Sequence, residues 1–343
     1  MFSTSRLTTT TAIALALTLT ACGSSGSDSE EASGSGGDWE TVTIKHALGT
    51  TKIEEEPERV ATVDFANQEV PLALGIVPVG MSKMTWGDDD GDGVQPWTED
   101  RLKELDAETP VLFDESDGYD FEAVAETNPD VILAGYSGLS KDDYEKLSKI
   151  APVVAYPDDP WATEWRDSIV INAKGLGKEQ EGKELVKDLE KDIDSAVDKH
   201  PEIKGKTGMY LTHVDPSDLS EINFYSAADT RSKYLEDLGM EIAPSVVKAT
   251  KGNDYAGSMS GERADDLNDA DIILTYGGPK LVKALEDDPA LSKLTAVEND
   301  AVVNLDGEKP IGTAGNPTAL SIPYLIDDYV ELLAKAAEGA DTK

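Results

Sequence analysis

Two consecutive helical patterns between Pro160 and His200 part the chain into two stretches of alternating strand and helix signals, and no other feature narrows the fold as far. Trp161, Trp165, Ile169, Ala173 and Leu176 recur at helical spacing, and Gly175 and Gly177 supply the stop. The second pattern places Val186, Leu189, Ile193 and Ala196 on one face. A segment before this tract matches one after it. The first runs from Phe121-Glu122 through Asp130-Val131-Ile132-Leu133 to Tyr136, the second from Gly261-Glu262 through Asp271-Ile272-Ile273-Leu274 to Tyr276. Each copy sets a Glu near a helix start at the same interval from a Tyr, with an Asp and a short apolar strand between them. Two similar lobes joined by a helix is the simplest explanation; a chance likeness of two common βα units is the other.

The flanking stretches follow βαβ arithmetic. Residues 41–60 alternate as a β-hairpin, Val60-Ala61-Thr62-Val63 is an apolar strand, residues 68–74 form a helix ending at Gly75, and Val77-Pro78-Val79-Gly80 is the next strand. Short apolar runs at Val111-Leu112-Phe113, Val131-Ile132-Leu133 and Val153-Val154-Ala155 suit a parallel sheet covered by helices. Beyond His200 the alternation restarts, with strands at 209–212, 222–225, 272–275 and 302–304, a helix over 232–238 and a final helix over 322–337.

Residues 1–21 have the form of an export signal: Arg6, an apolar run from Ala12 to Leu19 too short to span a bilayer, then Leu19-Thr20-Ala21-Cys22. That tetrapeptide is a bacterial lipobox, in which the Cys is diacylated and becomes the new N-terminus. Cys22 is the chain's one cysteine, so no disulfide framework exists, and lipidation removes a thiol that would otherwise be open to oxidation. Residues 22–38 are almost entirely Gly, Ser, Asp and Glu, a flexible acidic tether. The 68 Asp and Glu against 30 Lys and Arg leave a net charge of −38, which repels phosphate backbones and argues against nucleic acid as a partner. Most of these acids fall on solvated helical faces and keep a tethered protein soluble.

Several ordered motifs carry a resemblance: Pro57-Glu58-Arg59-Val60, Leu74-Gly75-Ile76-Val77-Pro78-Val79-Gly80, Asn128-Pro129-Asp130-Val131-Ile132-Leu133, Lys149-Ile150-Ala151-Pro152-Val153-Val154, Leu235-Glu236-Asp237-Leu238-Gly239 and Leu320-Ser321-Ile322-Pro323. With these, the chain resembles the iron-siderophore substrate-binding lipoproteins of ABC importers, the class III, helical-backbone group that also serves vitamin B12 and haem. The resemblance implies an α/β fold of two Rossmann-like lobes joined by a single long helix. The lobes fall at residues 39–158 and 178–343 and the bridge at 159–177, with ligand held between the lobes and little closure on binding. It also implies that one acid per lobe docks on permease arginines, and Glu122 and Glu262 match those positions. Each is equally a helix-N-terminal acid favoured by the dipole, with Asp120 or Ser260 as cap.

A siderophore has already saturated its ferric ion, so its receptor needs aromatic platforms and a few polar anchors rather than metal ligands or a cofactor. Trp86, Trp97, Tyr119, Tyr136, Trp161, Trp165, Tyr225, Tyr255 and Tyr276 fall in loops, at strand ends or at the start of the bridging helix, and any one of them could instead fill core. We take Trp86, Tyr119, Tyr136, Trp161, Tyr225, Tyr255 and Tyr276, with Arg231 as the anchor for an anionic oxygen, as the expected ligand contacts. The alternative for Arg231 is an ion pair with Asp229. Arginine is scarce, which favours a hydroxamate or mixed-ligand ferric complex over a triply anionic tris-catecholate. His46, His200 and His213 are too scattered for a bare zinc or manganese site, although His213 or a cleft Tyr could ligate haem.

Asp88, Asp90, Asp92, Gly93 and Glu99 match a calcium-loop spacing, with a solvated acidic loop as the other reading; Pro96 inside the loop counts against calcium. A secreted α/β hydrolase would need a Gly-x-Ser-x-Gly elbow, whereas Gly257-Ser258-Met259-Ser260-Gly261 places Met at its centre. A cell-surface adaptor without ferric ligands is the third class. The expected protein is therefore a monomeric, non-enzymatic solute-binding lipoprotein. It is held by its lipid on the outer face of the cytoplasmic membrane of a bacterium with one principal membrane, and delivers a ferric siderophore to an ABC permease.

Overall fold

The computed structural model describes residues 39–341 apart from His213, Asn253, Asp254 and Glu308, and Trp39–Lys343 forms one compact unit. The export signal, Cys22, the tether and His213 lie outside the described residues.

The first lobe runs β1 (Val42–His46), β2 (Gly49–Ile53), β3 (Val60–Thr62), α1 (Glu69–Ala73), β4 (Gly80–Ser82), α2 (Pro96–Glu104), β5 (Val111–Phe113), α3 (Phe121–Glu126), β6 (Val131–Ala134), α4 (Lys141–Leu147) and β7 (Val153–Ala155). β1 and β2 form the expected antiparallel hairpin, and the other strands make a parallel sheet in the order β5-β4-β3-β6-β7. Val60, Ala61, Val131, Ile132, Leu133, Val153, Val154 and Ala155 are all at most 1% exposed, as strands covered on both faces require. One strand sits later than its composition suggests: pairing in β4 starts at Gly80 rather than Val77. A Cβ on Gly80 would lie 2.2 Å from the Phe113 ring, so the glycine lets β4 approach β5.

The second lobe holds α6 (Glu179–Val197), β8 (Thr207–Tyr210), β9 (Glu221–Tyr225), α7 (Thr230–Asp237), β10 (Glu241–Ile242), α8 (Pro244–Ala249), β11 (Ala256–Ser260), a 3₁₀ turn over Gly261–Leu267, β12 (Ile272–Thr275), α9 (Gly278–Asp287), α10 (Thr295–Glu298), β13 (Val302–Asn304) and α11 (Ser321–Asp341). Its parallel sheet has the order β10-β8-β12-β13. β11, which no apolar run announces, pairs antiparallel with β9 in a separate ribbon.

The bridge, α5 (Trp165–Gly175), is shorter than the helical spacing suggests. Trp161 precedes it with φ 59°, a left-handed conformation that ends the pattern before it can join the helix. Gly182 lets α6 lie against α5, since a Cβ there would meet that of Ala173 at 2.5 Å. Both ends of α5 are tied. Asn172 accepts from the Gly135 amide and donates to Asn67 (2.9 Å) in the first lobe. Trp165 and Arg166 donate to Asp237 of α7 (2.9 and 2.8 Å). A second tie between the lobes is Glu69 of α1, fully buried, which accepts from the Trp97 indole (2.7 Å) and from the amides of Leu320 and Ser321 at the start of α11 (2.7 and 3.3 Å). A carboxylate at that helix N-terminus meets otherwise unpaired N–H groups and the positive end of the dipole. Ties of this kind between the lobes favour small rather than large lobe closure.

Candidate functional site

The loops that leave the carboxyl ends of the parallel strands converge on one cavity of about 330 Å³. The first lobe contributes Phe65 after β3, Trp86 after β4, Tyr136 after β6 and Trp161 after β7; the second contributes Tyr225 at the end of β9, Arg231 in α7, Tyr255 before β11 and Tyr276 after β12, with Gly312 and Asn316 beyond β13. This is where ligands bind in open parallel sheets. Of the expected contacts all but Tyr119 line it. Phe65, Gly312 and Asn316 carry no distinguishing sequence signal beyond their place after a strand.

The aromatic walls are built in edge-to-face pairs: Trp86 with Tyr276 (5.5 Å between ring centres), Tyr136 with Trp161 (5.4 Å) and Tyr225 with Tyr255 (5.4 Å). Such pairs fix ring orientation and leave broad apolar faces for a ligand. Trp86 crosses from the first lobe to donate to the Gly312 carbonyl (3.1 Å), and a Cβ on Gly307 would strike its ring at 2.2 Å. Trp161 is held in its left-handed conformation by a bond from its amide to the Ser137 carbonyl (3.0 Å), over a Gly138 whose missing Cβ leaves room for the indole. Tyr136 donates to Asn316 across the cleft (3.4 Å).

Arg231 stacks over Tyr225, with Cζ 4.3 Å from the ring centre, and pairs through Nη1 with both oxygens of Asp229 (3.2 and 3.0 Å). The Asp229 side chain is fully buried and also accepts from the Arg231 amide as N-cap of α7. The ion pair and the cavity position are thus both realised: Asp229 fixes at the cavity wall a guanidinium whose fork of donors suits an anionic oxygen. Burial pushes the Tyr276 hydroxyl up to about 12 against the pull of the Arg231 charge.

Three of the nine aromatics at loops and strand ends are structural, and of these Tyr119 alone was an expected contact. Trp97 and Trp165 are buried, and their indoles serve Glu69 and Asp237. Tyr119 does not line the cavity because its hydroxyl donates to Asp64. Asp64 also accepts from the Gly138 amide (3.2 Å), and its own amide donates to Glu115 (2.9 Å), which accepts from Ser82 as well (2.9 Å). Asp64 and Ala66 both have φ 62°, and this kink aims Phe65 into the cavity.

Burial, with the charge of Asp64 adding to it, pushes the Glu115 carboxyl up to about 7; burial pushes Asp64 up to about 6 against its hydrogen bonds. Acids raised on folding bind protons more tightly when folded. Their contribution to stability is greatest below the unfolded carboxyl range and is lost as pH rises through the folded values. Glu115→Gln keeps an acceptor without the charge. We expect it to gain about 1 to 3 kcal/mol relative to the parent chain between pH 5 and pH 8. Urea unfolding at both pH values checks this, and a difference that does not change with pH contradicts it.

Glu122 sits in the first turn of α3, capped by Asp120, and Glu262 in the 3₁₀ turn capped by Ser260. Both are exposed, and neither carboxylate has a partner among the described residues. The strands that follow, β6 and β12, lie inside their sheets, and Tyr136 and Tyr276 line the same cavity, so the sequence repeat is a repeat of structure. In the acidic loop, carboxylate oxygens of Asp88, Asp90 and Asp92 lie within 4.8 Å of one another. Glu99 is not in that group: Pro96 opens α2, and the Glu99 carboxylate faces Lys103 at 3.5 Å. Asp88 is turned onto the amides of Gly91 and Gly93 (both 2.8 Å), which makes it a loop-closing acid. In the elbow-like stretch, Ser258 donates to Glu221 across the β9–β11 ribbon (2.6 Å).

Two α/β lobes that present aromatic faces and a half-buried guanidinium to a shared cavity define a solute-binding protein. The chain belongs to the periplasmic binding protein family, whose profile matches residues 60–308. It is 45% identical to PiaA of Streptococcus pneumoniae TIGR4, an iron uptake ABC transporter substrate-binding protein solved in complex with ferrichrome; the two superpose with a TM-score of 0.82 over 87% of this chain and 99% of that one. A periplasmic solute binding protein of Mycobacterium smegmatis is 26% identical, with a TM-score of 0.69 over 87% of this chain and 99% of that one. The probable siderophore-binding lipoprotein YfiY of Bacillus subtilis strain 168 is 27% identical over 259 residues, 75% of each chain.

Proposed function

We propose that the chain is a lipid-anchored receptor that captures a ferric siderophore, preferentially a hydroxamate, in the aromatic cavity and hands it to an ABC permease through Glu122 and Glu262. The observation that carries this is the lining itself: three edge-to-face aromatic pairs and one guanidinium around about 330 Å³. A ferric trihydroxamate is close to neutral, and its organic shell offers apolar faces with carbonyl and hydroxamate N–O oxygens. Stacking and a single Arg match that shell. The relatives named for siderophores and for ferrichrome support the same choice. The protein transforms nothing: it makes no covalent change in its cargo and acts as a monomer, anchored at Cys22 outside the cytoplasmic membrane.

Trp86 and Trp161 line the cavity, so bound ferric complex is expected to quench tryptophan fluorescence. Titration of the residue 39–343 fragment should give saturable quenching by a ferric trihydroxamate at or below about micromolar concentration, near −8 kcal/mol. Ferric tris-catecholate and haem should bind more weakly. A folded protein that binds none of them rules the proposal out in favour of a surface adaptor.

A further inference from the structure

Beside the aromatic cavity lies a second one of about 230 Å³, and Trp161 and Tyr255 form walls of both. Its lining differs sharply in charge. Asp158, Asp159, Glu164, Asp167 and Asp229 contribute carboxylates, and among its described lining residues the one cation is Lys233. Lys233 pairs with Glu164 (2.8 Å), and Asp229 is matched by Arg231. Asp158 and Asp167 make no hydrogen bond or ion pair among the described residues. Burial, then the charges of Glu164 and Asp158, pushes the Asp167 carboxyl above its ordinary range against the opposing charges of Lys233 and Arg166, so the crowded acids outweigh the cations around it. Thr163, 5% exposed, lines this cavity and the crevice behind it, and its buried Oγ1 has no hydrogen-bond partner, which leaves a hydroxyl able to bind a polar group.

We infer that this annex takes a cationic arm of the ferric complex, a primary alkylammonium that passes between Trp161 and Tyr255 and ends among Asp158, Asp167 and Thr163. The inference rests on the ferric-siderophore reading of the main cavity and adds a preference within that class. Aromatic faces at the passage attract an ammonium through their quadrupoles. Carboxylates at its end supply charge-assisted acceptors, and their mutual repulsion falls when the cation arrives. An anionic or bulky neutral arm gains none of this. The account explains why the acids cluster beside a cavity whose own lining is nearly neutral.

The test uses three ferric probes on the residue 39–343 fragment: a linear trihydroxamate ending in a primary amine, the same complex with that amine acetylated, and a neutral cyclic trihydroxamate. The parent chain is expected to bind the amine form about tenfold more tightly than the acetylated form, about 1.4 kcal/mol. Asp158→Asn with Asp167→Asn should bring that ratio close to one and leave the cyclic complex unaffected. Equal affinities for the two linear forms in the parent chain overturn the annex assignment, as does a ratio that survives the double substitution. In either case binding of the cyclic complex shows that the main-cavity reading still stands. Loss of all three probes by folded protein overturns both.

Discussion

Replacing Glu122 and Glu262 together by Ala is expected to abolish uptake of the ferric complex by cells while its affinity for the isolated protein stays unchanged. Both carboxylates are exposed at helical N-terminal turns, one on each lobe, and neither belongs to the cavity. Their removal costs only the favourable dipole interaction of each turn, about 0.3 to 1 kcal/mol, which a protein of this size tolerates. At a permease surface the same groups would be desolvated against arginines. Truncating one partner of such a pair costs about 2 to 5 kcal/mol. Losing both therefore weakens docking by about 4 kcal/mol or more, roughly a thousandfold. Uptake of radiolabelled ferric complex by cells that carry only the variant measures one side, and fluorescence titration the other. Normal uptake with the double variant removes both residues from the docking surface, and reduced affinity with normal uptake would place them at the ligand instead.

The second large effect belongs to Arg231. Arg231→Ala leaves Asp229 fully buried and holding a single amide donor, so the variant is expected to lose about 3 to 5 kcal/mol of stability, as when one partner of a buried pair is removed. It also takes the guanidinium from the Tyr225 face and from the cavity, and anionic ferric complexes should bind about 1 to 3 kcal/mol more weakly. The two losses separate in the double variant Arg231→Met with Asp229→Asn. Asn still caps α7 and no buried charge is stranded, so most of the stability should return while affinity for anionic complexes stays low. Urea unfolding and titration on the same samples give both numbers. Full affinity in the folded double variant would show that Asp229 fixes the guanidinium for packing alone.

The sequence carried the architecture further than it carried the site. Short apolar runs marked β3, β6, β7 and β12 because strands buried on both faces leave an uninterrupted signal, and they marked the partly exposed edge strands β5 and β13 as well. It misplaced β4, whose start depends on Gly80 fitting against Phe113, and it missed β11, which is held by pairing with β9 rather than by its own composition. Helical spacing carried Trp161 into the bridging helix, although its backbone is left-handed and its indole faces the cavity. Most of the aromatic lining was legible because tyrosines and tryptophans at strand ends are few in this chain. Phe65 was not, since the kink of Asp64 and Ala66 that aims it depends on Tyr119, Glu115 and Gly138, which come together only in the folded lobe. The same non-local contacts turned Tyr119 from an expected ligand platform into a support for Asp64. The annex was hidden for a related reason: Asp158 and Asp167 are exposed acids like many others in this chain, and only the fold sets them beside Thr163 and the cavity wall.

The central claim is that a metal already wrapped by its chelator sits among the aromatic pairs and is not ligated by the protein. Anomalous diffraction at the iron edge, from crystals grown with a ferric trihydroxamate, tests it most directly. The account predicts one iron peak inside the cavity bounded by Trp86, Tyr276, Tyr136, Trp161 and Tyr225, with every coordinating oxygen supplied by the chelator and Arg231 directed at its outer oxygens. An iron peak bonded to a protein tyrosine or carboxylate, or one seated at Asp88, Asp90 and Asp92 with the cleft empty, would contradict it.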